Sequence, residues 1–192
     1  YIIGHKEFYG HRFKVTTATL IPRPESEMLI ELLEDALPKN ERLIEEKPAR
    51  LVDVGTGSGN LGITAKLTHP ELEVTLVDES RHALNVAEEN AEALHADVDL
   101  LQSDLLTSYP FIADIIIANL PYVDPEWERS PETEHEPVSA LFAANNGLAL
   151  IEELLIQTKE KLAIGGKLIV EADPEQHPTI IKEAAKCGLI LN

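Results

Sequence analysis

Cysteine and long apolar runs are scarce in this chain of 192 residues. Cys187 is the only cysteine, which excludes an intrachain disulfide and a thiolate metal cluster. No apolar run approaches the roughly 20 residues that cross a bilayer, and the first residues carry no signal-peptide pattern. We therefore expect a cytoplasmic protein with no membrane partner. The seven histidines show no ligand spacing, so we predict no metal site.

Positive charge is also scarce. Sixteen lysines and arginines stand against 34 aspartates and glutamates, which gives a net charge of −18. Nucleic-acid binding relies on Lys and Arg at the phosphates, so this balance argues against a nucleic-acid partner, although a local basic patch can exist within an acidic total. Solubility alone would explain most of the charge, and we expect a monomer.

The remaining composition is that of an ordinary globular protein, with 44% apolar residues. The length predicts one domain over 1–192. A lead-in over 1–48 is predicted to hold a hairpin in its first 20 residues and a helix from Met28 to Leu37, begun by Pro24 and Glu25. A charged connection then leads to a core over 49–192. Because the chain starts at Tyr1, we expect a processed protein or an excised domain.

Strand and helix patterns alternate through the core. Strands are predicted over 50–55, 73–78, 98–104, 113–119, 165–172 and 188–192, the last cut short, and helices over 60–67, 80–94, 147–162 and 174–187. This alternation predicts an α/β fold with a mainly parallel sheet and helices on both faces. Ligands of such sheets bind at the carboxyl ends of the strands, near the switch point. The segments after Asp53, Val77 and Ala118 carry the candidate chemistry there.

The first of these segments is "DVGTGSGNLG", which places Gly55, Gly57 and Gly59 between a strand and a helix. Glycines allow a tight turn and close approach of a ligand, and the helix N-terminus offers free N–H groups. The Asp53 carboxylate is placed to brace this loop. Together with Gly62 the glycines also match the dinucleotide G-x-G-x-x-G pattern, so the loop indicates a nucleotide-like cofactor without identifying it.

Acidic residues follow the next two strands. Asp78 has the spacing expected for gripping ribose hydroxyls, although it could instead be a cap or loop acid before Ser80, the predicted N-cap of the next helix. Asp104 could accept a hydrogen bond from an adenine amino group, and Leu105 could pack on the ring. The ribose is common to nicotinamide dinucleotides and S-adenosylmethionine, so Asp78 does not distinguish them.

The fourth strand ends on Asn119, Leu120, Pro121 and Tyr122. Asn and Pro also favour plain turns. Across from a cofactor loop, however, the Asn119 side-chain carbonyl and the Leu120 backbone carbonyl could accept both hydrogens of an NH₂ group. Tyr122 could cover a planar group by stacking. That arrangement would aim a nitrogen lone pair at an electrophile.

These segments resemble the HemK/PrmC protein glutamine methyltransferases. The matching stretches cover nearly the whole chain in the family's order: "EFYGHRFKVTTATLIPRPESE" (7–27), "LVDVGTGSGNLGI" (51–63), "VDES" (77–80), "QSD" (102–104), "NLPYVD" (119–124) and "EPVSALFAANNGLALIEELL" (136–155). The resemblance implies a Rossmann-like class I methyltransferase fold that uses S-adenosylmethionine. It implies methylation of a protein glutamine, in the Gly-Gly-Gln motif of peptide chain release factors or in a ribosomal protein.

The same resemblance implies roles by position. Gly55, Thr56, Gly57, Ser58 and Gly59 match the cofactor loop, Asp78 matches the ribose acid, and Leu105 matches a residue beside the adenine. Residues 119–122 match a substrate-binding tetrapeptide that is usually Asn-Pro-Pro-Tyr; Leu120 departs from it but keeps the backbone carbonyl. Asn119 is expected to contact the cofactor as well. From the resemblance we expect the family's N-terminal helical domain to be absent from this sequence and its C-terminal strand pair to be truncated.

Three other functions remain open from the residues. A methyltransferase acting on the amino group of a nucleic-acid base would use the same tetrapeptide on a flipped base. A dinucleotide oxidoreductase would explain the glycine loop but would leave residues 119–122 without a role. A non-catalytic cofactor-binding module would bind the cofactor and transfer no methyl group.

Overall fold

The computed structural model describes residues 3–37, 48–123 and 143–191. Most of the predicted connection over 38–48 lies outside these ranges, as do residues 124 and 136–142 of the stretches that carry the family resemblance. No helix within the described ranges is long and apolar enough to span a bilayer.

The lead-in forms the predicted hairpin and helix. Strands β1 (His5–Phe8) and β2 (His11–Lys14) pair antiparallel, with Phe8 opposite His11. A single 3₁₀ turn (Pro24–Ser26) precedes helix α1 (Glu27–Ala36), so the helix begins just after the predicted proline. The rings of Phe8 and Phe13 meet edge to face, 6.2 Å apart, and anchor the hairpin in the core.

The core is a five-stranded parallel sheet in the order β5-β4-β3-β6-β7. Its strands are β3 (Arg50–Val54), β4 (Glu73–Asp78), β5 (Asp99–Gln102), β6 (Ala113–Ala118) and β7 (Leu162–Val170). The helices between and after them are α2 (Asn60–Thr68), α3 (Arg81–Leu94), α4 (Ala149–Lys161) and α5 (His177–Lys186). The chain runs outward from β3 to β5 and then returns to the other side of β3 at β6, so the predicted α/β fold is confirmed and its switch point lies between β3 and β6.

Apolar side chains fill both sides of the sheet. On β6, Ile115 and Ile117 join the cluster under the hairpin, α1, α2 and α3, whereas Ile116 joins the cluster under α4. All three are at most 2% exposed. A strand covered on both faces needs consecutive apolar residues, which is why the run at 115–117 predicted this strand correctly.

Two predictions at the C-terminal end were wrong in detail. Strand β7 begins at Leu162, before the two glycines, and its pairing with β6 is irregular between Ala113 and Ile115. An edge strand tolerates such a bulge because one of its sides has no ladder to break. No strand forms over 188–191, where Gly188 has φ +83° and the Leu189 N–H donates to the Ala184 carbonyl. These residues close helix α5 instead of extending.

Candidate active site

One open cavity lies at the carboxyl ends of β3, β4, β5 and β6, where the sequence predicts a ligand site. The predicted site residues that line it are Gly55, Gly57, Asp78, Asp104, Leu105, Asn119, Leu120 and Pro121. Residues for which the sequence predicts no role in the site complete the lining: Ala18, Thr19, Leu20, Glu79, Ser80, Ala83, Ser103 and Leu150. The structure therefore brings the three predicted segments together around one space.

The glycine loop is held against the neighbouring strand by its backbone. The N–H groups of Gly55 and Thr56 both donate to the carbonyl of Val77, at 2.8 and 2.9 Å. Gly55 has φ +71°, and a Cβ there would lie 2.8 Å from Leu120 Cδ2, so both conformation and space favour glycine. Gly57 lines the cavity, and a Cβ on it would meet no protein atom within 4 Å, which leaves room for a ligand against the backbone.

Asp53 lies beneath this loop and does not line the cavity. Its Oδ2 accepts hydrogen bonds from the Thr56 hydroxyl at 2.6 Å and from the Gly62 N–H at 2.9 Å. Burial raises the pKa of Asp53 to about 6, against the lowering effect of these two bonds. The expectation that its carboxylate braces the loop is thus matched by the contacts. Thr56 and Ser58 are buried as well, so their side chains support the loop from below.

Asp78 connects the loop to the next helix. Its Oδ2 accepts from the Gly57 N–H and its Oδ1 from the Ser80 N–H, both at 2.9 Å. Burial raises the pKa of Asp78, and these two bonds oppose that effect. Each carboxylate oxygen keeps a further lone pair, so Asp78 can brace the loop and still accept a hydrogen bond from a hydroxyl group of a ligand in the cavity. A structural role in the loop and a role in binding ribose are therefore compatible for Asp78.

Asp104 and Leu105 follow β5 at the far side of the cavity. Asp104 is exposed, whereas Leu105 is buried and has φ +45°, an uncommon value for a residue with a side chain. The preceding Ser103 N–H donates to the Asp78 carbonyl at 3.1 Å, so the turn after β5 is held against the end of β4. An acidic acceptor beside an apolar wall suits a purine with an exocyclic amino group.

Contacts with other parts of the chain hold the side chains of Asn119 and Leu120. Asn119 Nδ2 donates to Ser26 Oγ at 2.8 Å and to Glu171 Oε2 at 2.9 Å. Leu120 is 3% exposed and packs against Gly55, so the side chain that departs from the family's usual proline joins the tetrapeptide to the cofactor loop.

Tyr122 lies differently from the sequence expectation of a stacking cover. It is not among the described residues that line the cavity, and its hydroxyl donates to Glu171 Oε1 at 3.0 Å. Burial first, and the nearby Glu171 carboxylate second, raise the pKa of the Tyr122 hydroxyl, which stays protonated. The Tyr122 carbonyl accepts from Gln176 Nε2 at 2.8 Å. In this structure the tyrosine anchors the end of the tetrapeptide.

Sequence reasoning missed Ser26, Glu171 and Gln176. Ser26 directly follows Pro24 and Glu25 at the predicted start of the helix, where the sequence predicts no site residue. Glu171 is the first residue after β7, so the rule that flagged the ends of three other strands would have found it. Buried Gln176, in the turn before α5, carries no comparable signal. The described residues contain no group of three or more His, Cys, Asp or Glu that could hold a metal ion.

Comparison with known proteins shows the family of this chain. The family model described as the methyltransferase small domain matches residues 26–144, from Ser26 through the glycine loop and the tetrapeptide. The release factor glutamine methyltransferase of Bacillus cereus is 35% identical over 202 aligned residues, which cover 94% of this chain and 70% of that protein. The chain belongs to the release factor glutamine methyltransferase family.

Another member of that family is also similar to this chain over most of its length. The release factor glutamine methyltransferase of Enterococcus faecalis is 40% identical over 181 residues, covering 92% of this chain and 62% of that enzyme. The chain thus spans somewhat less than two thirds of the length of that relative. A solved methyltransferase from Pyrococcus furiosus has the same fold, with a TM-score of 0.71 and 18% identity over 96% of this chain and 81% of that one.

Proposed function

We propose that this chain uses S-adenosylmethionine to methylate the side-chain amide nitrogen of a protein glutamine, with the Gly-Gly-Gln glutamine of release factors as substrate. A ribosomal protein is the second candidate substrate. The observation that carries the proposal is the fixed Asn119 amide. Both hydrogens of its nitrogen are used within the protein, so its oxygen is the group left to accept a hydrogen bond at the cavity.

The residues around the cavity suit S-adenosylmethionine. Asp78 would accept from the ribose hydroxyls, Asp104 from the adenine amino group, and Leu105 would pack on the ring. The glycine loop would lie under the sugar and the amino-acid part, with Asp53, Thr56 and Ser58 supporting it from the buried side. When bound, this cofactor supplies a methyl group on a positively charged sulfur.

The chain's own contribution to the reaction is positioning. An amide nitrogen is a poor nucleophile because its lone pair is delocalised into the carbonyl. Asn119 Oδ1 and the Leu120 carbonyl would accept hydrogen bonds from the two N–H groups of the glutamine side chain. They would thereby hold the lone pair of the glutamine nitrogen in line with the methyl group. The nitrogen would form its bond to the methyl carbon as the methyl–sulfur bond breaks and its electron pair stays on sulfur, and the amide would release one proton to water. Holding the amide in this way favours the charge that develops on nitrogen as the bond forms.

Asn119→Ala tests this function directly. Transfer of labelled methyl from S-adenosylmethionine to a release factor should fall by about 100-fold or more, because one of the two acceptors is lost. Calorimetric binding of the demethylated cofactor should change no more than about threefold, since the glycine loop and Asp78 remain. Asn85→Ala, which removes an exposed asparagine amide on helix α3, is the matched control and should keep full activity.

The substrate is tested by changing the acceptor. Replacing the glutamine of the Gly-Gly-Gln motif should abolish labelling, and an RNA or DNA acceptor should remain unlabelled. Binding of NADH without binding of S-adenosylmethionine would contradict the proposal. So would full activity of the Asn119→Ala variant.

A further inference from the structure

Glu171 occupies a position next to the tetrapeptide that the proposed chemistry does not use. It is the residue after the last of β7, and its N–H donates to the Ala118 carbonyl at 3.1 Å. Ala118 is the last residue of β6, so this bond places Glu171 beside Asn119 at the same edge of the sheet. The carboxylate is only partly buried.

Three side chains converge on this one carboxylate. Ser26 Oγ donates to Oε2 at 2.5 Å and Asn119 Nδ2 to the same oxygen at 2.9 Å, while the Tyr122 hydroxyl donates to Oε1 at 3.0 Å. The donors come from the turn before α1 and from both ends of the tetrapeptide. Glu171 therefore accepts hydrogen bonds from the lead-in and from both ends of the tetrapeptide.

The direction of these hydrogen bonds determines which way the Asn119 amide faces. A carboxylate can only accept, so the side of Asn119 that meets Glu171 must be its NH₂ group. The Ser26 hydroxyl has one hydrogen and gives it to Glu171, so toward Asn119 it can only accept. Both Asn119 hydrogens are consumed, and turning the amide over would set its oxygen against the carboxylate. A neutral amide at 171 would not impose this direction.

We propose that Glu171 is a positioning residue for methyl transfer: its carboxylate holds the Asn119 amide so that Oδ1 is presented to the substrate NH₂ group. This inference rests on the proposed function. Glu171 itself does not touch the reacting atoms; it acts through Asn119 and Tyr122. The site owes its preference for a hydrogen-bond donor, as in a glutamine amide, to this acceptor-only partner.

Glu171→Gln tests the inference because the side chain keeps its size and loses only its charge and its acceptor-only character. Its new NH₂ group can donate to Asn119 Oδ1 and draw that oxygen away from the cavity. We expect kcat for labelled transfer to a release factor to fall by about 10- to 100-fold, since a small misplacement of a positioned group has this effect. The KM for S-adenosylmethionine should stay within about twofold, because Glu171 does not line the cavity among the described residues.

Glu175→Gln is the matched control. It makes the same change of charge four positions along the chain, at an exposed residue. Its kcat and KM should equal those of the parent chain. Ser26→Ala provides a second variant: it frees one Asn119 hydrogen but keeps Glu171, so its kcat should fall less than that of Glu171→Gln.

A spectroscopic measurement separates the inference from the proposed function. The side-chain NH₂ signals of Asn119, assigned by their loss in Asn119→Ala, should shift in Glu171→Gln and stay in place in Glu175→Gln. Unchanged signals, or a Glu171→Gln kcat within twofold of the parent, would overturn the role of Glu171. A loss of kcat accompanied by an equal loss of cofactor affinity would overturn it as well, because it would indicate general damage. If the parent chain transfers no methyl to any glutamine, the proposed function fails, and the NMR signals still decide whether Glu171 orients Asn119.

Discussion

At the scale of single residues, Asp53 is a carboxyl group buried beneath the glycine loop. It is 1% exposed, and one of its oxygens, Oδ1, has no hydrogen-bond partner among the residues that the structure describes. The other oxygen binds Thr56 and Gly62 and holds the glycine loop against helix α2. A buried carboxylate with one unpartnered oxygen favours its protonated form, which is the cause of its raised pKa of about 6.

This residue makes a prediction about pH. Because the folded-state pKa of Asp53 lies above the unfolded value, the folded chain binds the proton more tightly, and stability is lost as pH rises from the unfolded pKa toward about 6. We expect the free energy of unfolding of the parent to fall by about 1 kcal/mol relative to Asp53→Asn between about pH 5 and about pH 8. Urea denaturation of both proteins at the two pH values measures this difference.

The comparison with Asp53→Asn cancels the other titrating groups, which are shared by the two proteins. A difference between them that does not vary with pH would contradict the raised pKa. Asp97→Asn, a change at an exposed residue in the loop between α3 and β5, gives the scale of an ordinary carboxylate replacement.

At the scale of secondary-structure elements, Asn90 joins the hairpin to the cofactor loop. It is 2% exposed, on helix α3, and its Oδ1 accepts from the Lys14 N–H at 2.7 Å. Its Nδ2 donates to the carbonyls of Lys14 at 3.0 Å and of Ser58 at 2.8 Å. One side chain thus satisfies backbone groups of β2 and of the glycine loop, and the hairpin depends on it for its position.

Asn90→Ala should release this connection. The three backbone groups lose their partner, so we expect a loss of about 2 kcal/mol in the free energy of unfolding. Hydrogen exchange should quicken at the amides of β1 and β2 more than at those of the central strands. The loosened glycine loop should also weaken cofactor binding.

Glu89→Ala is the control for that experiment. Glu89 lies next to Asn90 on α3 and forms an ion pair with Lys14 of β2, but both side chains are about half exposed, at 54% and 48%. An exposed pair contributes little, so this variant should lose no more than about 0.5 kcal/mol. Equal effects of the two variants would show that the hairpin is not held through Asn90.

At the scale of the whole molecule, the net charge of −18 is the dominant long-range feature. Like charges repel across the folded chain, and dissolved salt screens that repulsion. We expect the melting temperature to rise as NaCl increases from about 10 mM to about 150 mM, because the Debye length shortens from about 30 Å to about 8 Å. Thermal denaturation followed by circular dichroism measures this.

KCl should give the same rise as NaCl if screening is the cause. An uncharged osmolyte that changes the melting temperature equally would point to surface exclusion instead, and a fall with salt would mean that attractive ion pairs dominate.

The alternation of strand and helix, the ends of β4 and the N-cap of α3 were all predictable from local sequence. Strand β4 spans the predicted residues, and Ser80 Oγ accepts from the Ala83 N–H at 3.3 Å as a capping serine should. Periodicity and capping involve neighbours in the chain, which is why these features are visible without a structure. The extent of β7 and the absence of a strand over 188–191 depended instead on pairing at the sheet edge and on the closure of α5.

The candidate site also has features that local sequence determined and features that only the tertiary structure decided. The sequence alone determined the glycine loop, the acids at the strand ends and the Asn-Leu-Pro-Tyr segment, because each is a short motif whose chemistry is local. Only the tertiary structure brought Ser26 to Asn119, 93 residues away, and Glu171 to both, and only it turned Tyr122 toward Glu171. Parallel strands bring distant residues to one edge, and the sheet order, not sequence spacing, decides which side chains meet there.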